Sequence, residues 1–344
     1  MPTIQKDETT GDKALPSHAK VVVIGGGVVG CSILFHLAKF GWKDVILLER
    51  DELTSGSSWH AAGQIHTISS DPNISRLQGY TIDLYKEIEE TSGHSVGLHM
   101  TGGFYLASNK EWYDYLKRER SKARYMGLHQ EFISPAEVAE RHPLIDPKHY
   151  CAALWDDQDG DLDPSGATYA FAKSARVHGA QYFTHTPVTA TTQRADGSWD
   201  VTTPRGAVNA ETIVNCGGLW AREVGKMGGL NVPVQPMEHH YLLTKKLMRL
   251  QILALVSPAA LIMRQTFISV RNARAYCWVP MNLWALHGRW AERRGISGTN
   301  YCNRIWTTSR IVWNWPLNVS LHWQRRGSRM QSTAHSHLAP MAIP

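Results

Sequence analysis

The chain has 344 residues, a formal net charge of +6 at pH 7 and 43% hydrophobic residues, enough for two domains with cores of their own. No apolar run is long enough to cross a bilayer. Residues 247–263 come nearest, but Arg249, Gln251 and Pro258 interrupt them.

The first residues, MPTIQKDETTGDK, are polar and carry acids, unlike a secretory signal or a transit peptide. They are expected to form a disordered lead-in over residues 1–18 of a cytoplasmic protein. Val21 to Ile24 is a continuous apolar run, as in a strand buried on both faces. Gly25, Gly27 and Gly30 follow with GxGxxG spacing, and Val28 and Val29 open a helical pattern that runs to Phe40 and stops at Gly41. The first glycine permits a tight turn and the second lets a pyrophosphate approach the backbone. The third lets the helix pack on the strand with its N-terminal amides facing the phosphate. Val45 to Leu48 is a second apolar run ending at Glu49, followed by Arg50. An acid about 20 residues past the loop is placed to accept ribose hydroxyls. Strand, loop, helix, strand and acid in this order imply a dinucleotide site.

Thr54, Ser55, Ser57 and Ser58 form a hydroxyl cluster suited to phosphate contacts, and Gly56, Trp59, His60, Ala61, Ala62 and Gly63 complete the run LTSGSSWHAAG. This run resembles the dimethylglycine and sarcosine dehydrogenases, within the D-amino-acid-oxidase-like flavoproteins. The resemblance covers residues from about Val21 to Thr244. It implies FAD as the cofactor, bonded covalently through His60 to the flavin 8α carbon. Gly102 to Ala107 is similar to the family's first substrate-domain strand. Asp159 to Pro164 is similar to its DGxxDP segment, although Asp before Pro at a helix start is also ordinary capping chemistry. Thr186 to Thr189 is similar to a strand whose backbone meets the adenine at Val188. Ile213 to Trp220 is similar to a second flavin-contacting strand and turn, with Trp220 either against the cofactor or in the core. Met237 to Tyr241 is similar to the strand leading into the substrate site. Its His239 and Tyr241 match an H-x-Y pattern, as a proton acceptor and its neighbour or as packing residues.

Residues 74–93 carry apolar residues at helical spacing among many charges and are expected to form an amphipathic surface helix. Lys110 to Gly127 reads similarly, as a solvated face rather than a nucleic-acid patch. The five cysteines, Cys31, Cys151, Cys216, Cys277 and Cys302, have neither CxxC nor metal-ligand spacing. Reduced thiols and no metal site are expected.

The charge distribution changes abruptly at Tyr241. From there on fourteen Lys and Arg stand against the single acid Glu292, a net of +13, so residues 1–240 carry −7. Seven tryptophans crowd the same stretch. A basic, Trp-rich tail can bind nucleic acid by charge and stacking. The genetic code offers another reading. Shifted to start at the third base of each preceding codon, Tyr276 to Asn282 permits LLGPYE, and Met330 to Pro344 permits AINGPFTFSPDGNP; both are family-like. We therefore expect the chain to leave its frame between about Lys245 and Met263, with no nucleic acid or membrane as partner.

The expected architecture is an α/β, Rossmann-like FAD-binding domain interleaved with a mixed β-sheet substrate domain over residues 19–244. An aberrant basic tail over 245–344 is expected to be out of frame and not natively folded. The resemblance implies oxidative demethylation of an N-methylated glycine, dimethylglycine or alternatively sarcosine. The electrons would go to an electron-transfer flavoprotein or to oxygen. Tetrahydrofolate would take part only where a further C-terminal module is present. A truncated, non-catalytic flavin-binding remnant is the alternative of another class.

Overall fold

The structure is a computed structural model. It describes residues 14–67, 69, 71–142 and 145–237, and after these only the backbone of the strands named below. Residues 1–13 of the lead-in expected over 1–18 lie outside the described residues, as do most of the basic tail, His239 and Tyr241; the rest of it is ordered, with Leu15 packed on the core and His18 opening the first strand, because both find partners in the first sheet.

The two apolar runs become the centre of the first sheet. β1 (His18–Ile24) and β2 (Val45–Leu48) pair in parallel, Val21 opposite Val45 and Ile24 opposite Leu48. β1 begins three residues before its apolar run because His18 and Ala19 pair with a later strand. α1 (Val28–Lys39) connects the two and buries Cys31, Leu34, Phe35 and Ala38, one helical stripe. The chain turns at Gly41, which has φ 86° and donates its N–H to the Ala38 carbonyl at 3.0 Å.

The middle of the chain builds the second sheet. β3 (Gln64–Ile65) is followed by α2 (Pro72–Ser92), which the Asp71 carboxylate caps and Gly93, at φ 63°, ends. Next come β4 (Gly103–Ala107), α3 (Lys110–Tyr125), β5 (Gln130–Ile133) and α4 (Pro135–Arg141), the last started by a Ser134–Glu137 capping box. β6 (Ala152–Asp156) and β7 (Gly160–Asp161) lead to α5 (Pro164–Val177). Asp163 caps α5 by accepting the Ser165 N–H at 2.9 Å, with Pro164 in the first turn. The chain then returns to the first sheet with β8 (Gln181–Phe183), β9 (Ala190–Gln193), β10 (Trp199–Thr203), β11 (Gly206–Asn215) and α6 (Ala221–Met227).

Thr186 to Thr189 was expected as a strand and is instead the loop between β8 and β9. Pro187 has no N–H for a ladder. The loop is still held at both ends, with Thr186 N–H on the Glu49 carbonyl at 2.7 Å and Thr189 N–H on the Thr202 carbonyl at 2.9 Å.

The first sheet has the order β8-β2-β1-β11-β10-β9, parallel through β11 and antiparallel beyond. Val21 and Val23 face a core with Leu34, Phe35 and Phe171 of α1 and α5; Val22 and Ile24 face another with Phe183, Val201 and Val208. Both faces are filled, which is why the runs read as continuously apolar.

Backbone pairing also reaches the basic stretch. β12 (Leu242–Leu243), β13 (Ala259–Ile262), β14 (Phe267–Asn272) and β15 (Ala275–Pro280) extend the mixed sheet β12-β15-β14-β13-β4-β6-β5, with β13 parallel to β4. FISVRN and AYCWVP carry the β-branched and aromatic residues that suit strands. Within β4 the two faces alternate. Phe104 and Leu106 pack with Val138 and Ala153, while Tyr105 and Ala107 pack with Leu116 and Leu154. The chain divides into two compact units, residues 1–288 and 289–344. The described part of the second is the hairpin β16 (Leu321–Arg326) and β17 (Arg329–Ala334).

Candidate functional site

The glycine loop emerges from the carboxyl end of β1. Gly25 has φ 117°, and a Cβ there would overlap the Cys216 carbonyl at the end of β11. A Cβ at Gly30 would overlap the Gly25 carbonyl, so the helix meets the loop only because Gly30 has no side chain. A Cβ at Gly27 would come 3.1 Å from the Ser58 hydroxyl oxygen. α1 starts at this point with no side-chain cap from Gly27 and no acid in its first turn. Its amide dipoles add at this end and favour negative charge, and Val29 is exposed beside them. A helix start of this kind favours a phosphate.

Glu49 is buried and does more than its position in the sequence implied. Its Oε2 accepts the Gly26 N–H at 2.5 Å and its Oε1 accepts the Asp51 N–H at 2.9 Å. The carboxylate thus clamps the loop, and each oxygen keeps a second lone pair for a hydroxyl donor. Thr54 also serves the loop, its N–H on the Gly26 carbonyl at 3.0 Å. It does so at φ 73°, a costly conformation for a β-branched residue that the surrounding contacts must hold.

The expected hydroxyl cluster does not act as one group. Thr54 is buried, and the Ser58 Oγ accepts the Val28 N–H at 2.9 Å. Ser55 is half-buried and Ser57 is exposed. The bond from Ser58 joins the start of α1 to a short 3-10 turn, Ser58–His60, that carries the predicted tether histidine. The His60 ring stacks on Trp59, with centroids 3.7 Å apart and planes tilted 36°. Burial lowers the His60 pKa below the usual histidine value, favouring neutral imidazole. Ala61 and Ala62 carry the chain out to Gly63, at φ 78°, whose carbonyl accepts the Leu162 N–H at 2.8 Å.

Arg50 and Trp220 form a wall at the end of β2. The Arg50 guanidinium lies 4.2 Å from the centre of the Trp220 ring, and a Cβ at Gly56 would stand 3.5 Å from that ring. Val188 is half-buried against the core that contains Phe183 and Val208. Cys31 and Cys216 flank the loop. Burial pushes both thiols up, Cys216 to about 11, which leaves them protonated and inert.

A second polar cluster, not anticipated from the sequence, lies where β3 and β7 meet the mixed sheet. Asp156 and Asp159 are both about 1% exposed. Asp156 accepts from the Thr67 hydroxyl at 2.9 Å, the Gln130 amide at 2.6 Å and the Gln158 N–H at 2.9 Å. Asp159 accepts the Thr67 N–H at 3.1 Å, and its pKa lies well above the carboxylate range through burial first and repulsion from Asp156 second. His66 is lowered by burial, opposed by the attraction of Asp156. No group of three or more His, Cys, Asp or Glu suited to a metal ion occurs among the described residues.

Comparison with known proteins agrees with this geometry. The family model described as "FAD dependent oxidoreductase" matches residues 20–279, past the Thr244 where the resemblance was expected to end. Dimethylglycine dehydrogenase, mitochondrial, of Rattus norvegicus is 42% identical over 226 residues, 66% of this chain and 26% of that protein. Sarcosine dehydrogenase, mitochondrial, of Homo sapiens is 37% identical over 245 residues, 70% of this chain and 27% of that protein. The chain thus spans about a quarter of the length of these curated relatives. Among solved structures, L-proline dehydrogenase from P. horikoshii superposes with a TM-score of 0.70 at 28% identity, covering 77% of this chain and 70% of that one. The chain belongs to the FAD-dependent oxidoreductase family, and the cradle at Gly25, Gly27 and Gly30 fits that cofactor.

Proposed function

We propose that this family member carries the FAD-binding half of an enzyme that oxidises an N-methyl group of a small amino acid, dimethylglycine in the first place, with FAD bonded covalently through His60. The observation that carries the cofactor part is the Val28–Ser58 bond at 2.9 Å, which ties the predicted tether turn to the phosphate-favouring start of α1. The substrate class rests on the relatives named dimethylglycine and sarcosine dehydrogenase.

When bound, FAD supplies a two-electron acceptor for the C–H bond next to nitrogen. The chain's own residues do the rest. The loop from Gly25 to Gly30 gives the pyrophosphate close access to backbone amides, and Glu49 offers its remaining lone pairs to ribose hydroxyls. Arg50 and Trp220 wall the adenosine end. His60 in its neutral form offers an imidazole nitrogen lone pair to the flavin 8α carbon. His239 would take the proton of the substrate amine at its ring nitrogen, and Tyr241 is the other residue of the matched H-x-Y pattern; both lie outside the described residues. The oxidised methyl carbon would leave as formaldehyde after hydrolysis of the iminium, or be captured by tetrahydrofolate where a further module is present. The electron acceptor would be an electron-transfer flavoprotein or oxygen.

Yellow colour that survives acid precipitation in the wild type and is lost in His60→Ala would support the tether, and a colourless wild-type pellet would sink it. Turnover of dimethylglycine against sarcosine with an artificial acceptor ranks the substrates. The strand GGFYLAS leans towards sarcosine and AREVGKM after Trp220 towards dimethylglycine, which keeps sarcosine as the second reading. No turnover of either points to a flavin-binding remnant without catalysis. We also propose that the chain leaves its frame between about Lys245 and Met263. An uninterrupted in-frame transcript, with tail peptides seen by mass spectrometry, would overturn that.

A further inference from the structure

We propose that Trp59 is a positioning residue for flavin attachment, holding the His60 imidazole by its face so that its in-plane nitrogen points towards the flavin. The inference rests on the reading of His60 as the tether.

Neighbouring side chains on a 3-10 turn point about 120° apart, so consecutive rings do not meet by default. Here they do, at 3.7 Å between centroids. The backbone that allows it is bonded on three sides. His60 N–H reaches the Ser57 carbonyl at 3.2 Å, Ala61 N–H the Ser58 carbonyl at 3.2 Å, and Val28 N–H the Ser58 hydroxyl at 2.9 Å.

Trp59 is 39% exposed. A tryptophan normally gains most by full burial, so one this exposed does little for the core, and its close approach to His60 stands out. Stacking uses the face of the imidazole. The lone pair of an imidazole nitrogen lies in the ring plane and stays directed away from the stack. Burial on one side also disfavours the imidazolium, which has no lone pair to donate.

The bond that forms joins an imidazole nitrogen to the 8α carbon. One C–H bond of the methyl group and the imidazole N–H bond are lost. Two electrons enter the isoalloxazine and pass on to dioxygen, which takes both protons and leaves as hydrogen peroxide. Misplacing the nitrogen slows this step without weakening the phosphate and ribose contacts, which lie on other residues.

The test uses the full chain, produced without flavin in a riboflavin-depleted host and then incubated aerobically with FAD. Covalent attachment is read over time as flavin fluorescence in a denaturing gel, and non-covalent binding as fluorescence quenching at early times. Trp59→Leu is expected to slow attachment about tenfold with non-covalent affinity within about twofold, while Trp59→Phe, which restores a ring face, recovers most of the rate. Attachment by Trp59→Leu at the wild-type rate would overturn the proposal while leaving the tether reading intact. Loss of non-covalent binding in Trp59→Leu, or no rescue by Trp59→Phe, would also overturn it, by making Trp59 a structural residue. Absence of covalent flavin from the wild type would remove the tether reading itself, and this proposal with it.

Discussion

The glycine-loop end of the first sheet and the acid cluster of the mixed sheet are both buried and polar, yet they are built in opposite ways. At the loop, backbone atoms are brought into contact by missing side chains, and the one buried acid is satisfied by two backbone N–H groups. At the cluster, Thr67 donates to both carboxylates while Gln130 and Gln158 donate to Asp156 alone, and Asp159 is pushed towards its neutral form. The first arrangement organises charge for a ligand. The second holds a carboxyl against ionisation by burying it beside another.

The sharpest way to break this contrast is Gly25→Ala. The side chain would combine a forbidden φ with overlap on the Cys216 carbonyl, so about 3–5 kcal/mol of stability and nearly all bound flavin should be lost. Urea unfolding and flavin absorbance would measure it, and a stable yellow variant would show that the loop tolerates a Cβ. Glu49→Gln is milder. The amide would turn a donor on either Gly26 or Asp51 N–H, costing about 1–3 kcal/mol and weakening FAD binding; unchanged titration against FAD would show that the carboxylate is not the clamp. Ser58→Ala leaves the Val28 N–H without its acceptor, worth about 1 kcal/mol by analogy with lost helix caps. Thermal unfolding with and without FAD would show whether the tether turn loosens as well.

The last test concerns the cluster. Asp159 binds its proton more tightly folded than unfolded. Its contribution is therefore fully present below the unfolded pKa, about 4, and falls as pH rises until the folded carboxyl ionises. Asp159→Asn keeps an acceptor for the Thr67 N–H and abolishes this slope. Its stability relative to wild type should rise with pH above about 4, by at most about 1.4 kcal/mol per pH unit while the folded carboxyl stays protonated. Equal slopes for the two proteins in paired urea titrations would place Asp159 in its charged form.

Much of the loop was legible because its logic is local. Gly25, Gly27, Gly30 and the helix stop at Gly41 answer to backbone geometry within a few residues, and Asp163 before Pro164 is a cap on any helix. For Glu49 the sequence suggested a ribose acceptor but not the clamp on the loop, since the Gly26 donor it meets sits 23 residues away. The strand expected at Thr186 to Thr189 is a loop, for the missing N–H of Pro187, a local signal that the resemblance outweighed.

What the sequence by itself determined is the βαβ unit, the glycine loop, the acid that follows it and the place of His60 in a short motif. Each follows from side-chain pattern or backbone freedom over a few neighbours. Only the tertiary structure decided what the polar side chains touch. Ser58 meets Val28 across 30 residues and Thr67 meets Asp156 across 89, so hydroxyls that looked alike in the sequence serve different partners. A hydrogen bond depends on distance and direction in space, and for pairs this far apart along the chain those exist only once the sheets have formed.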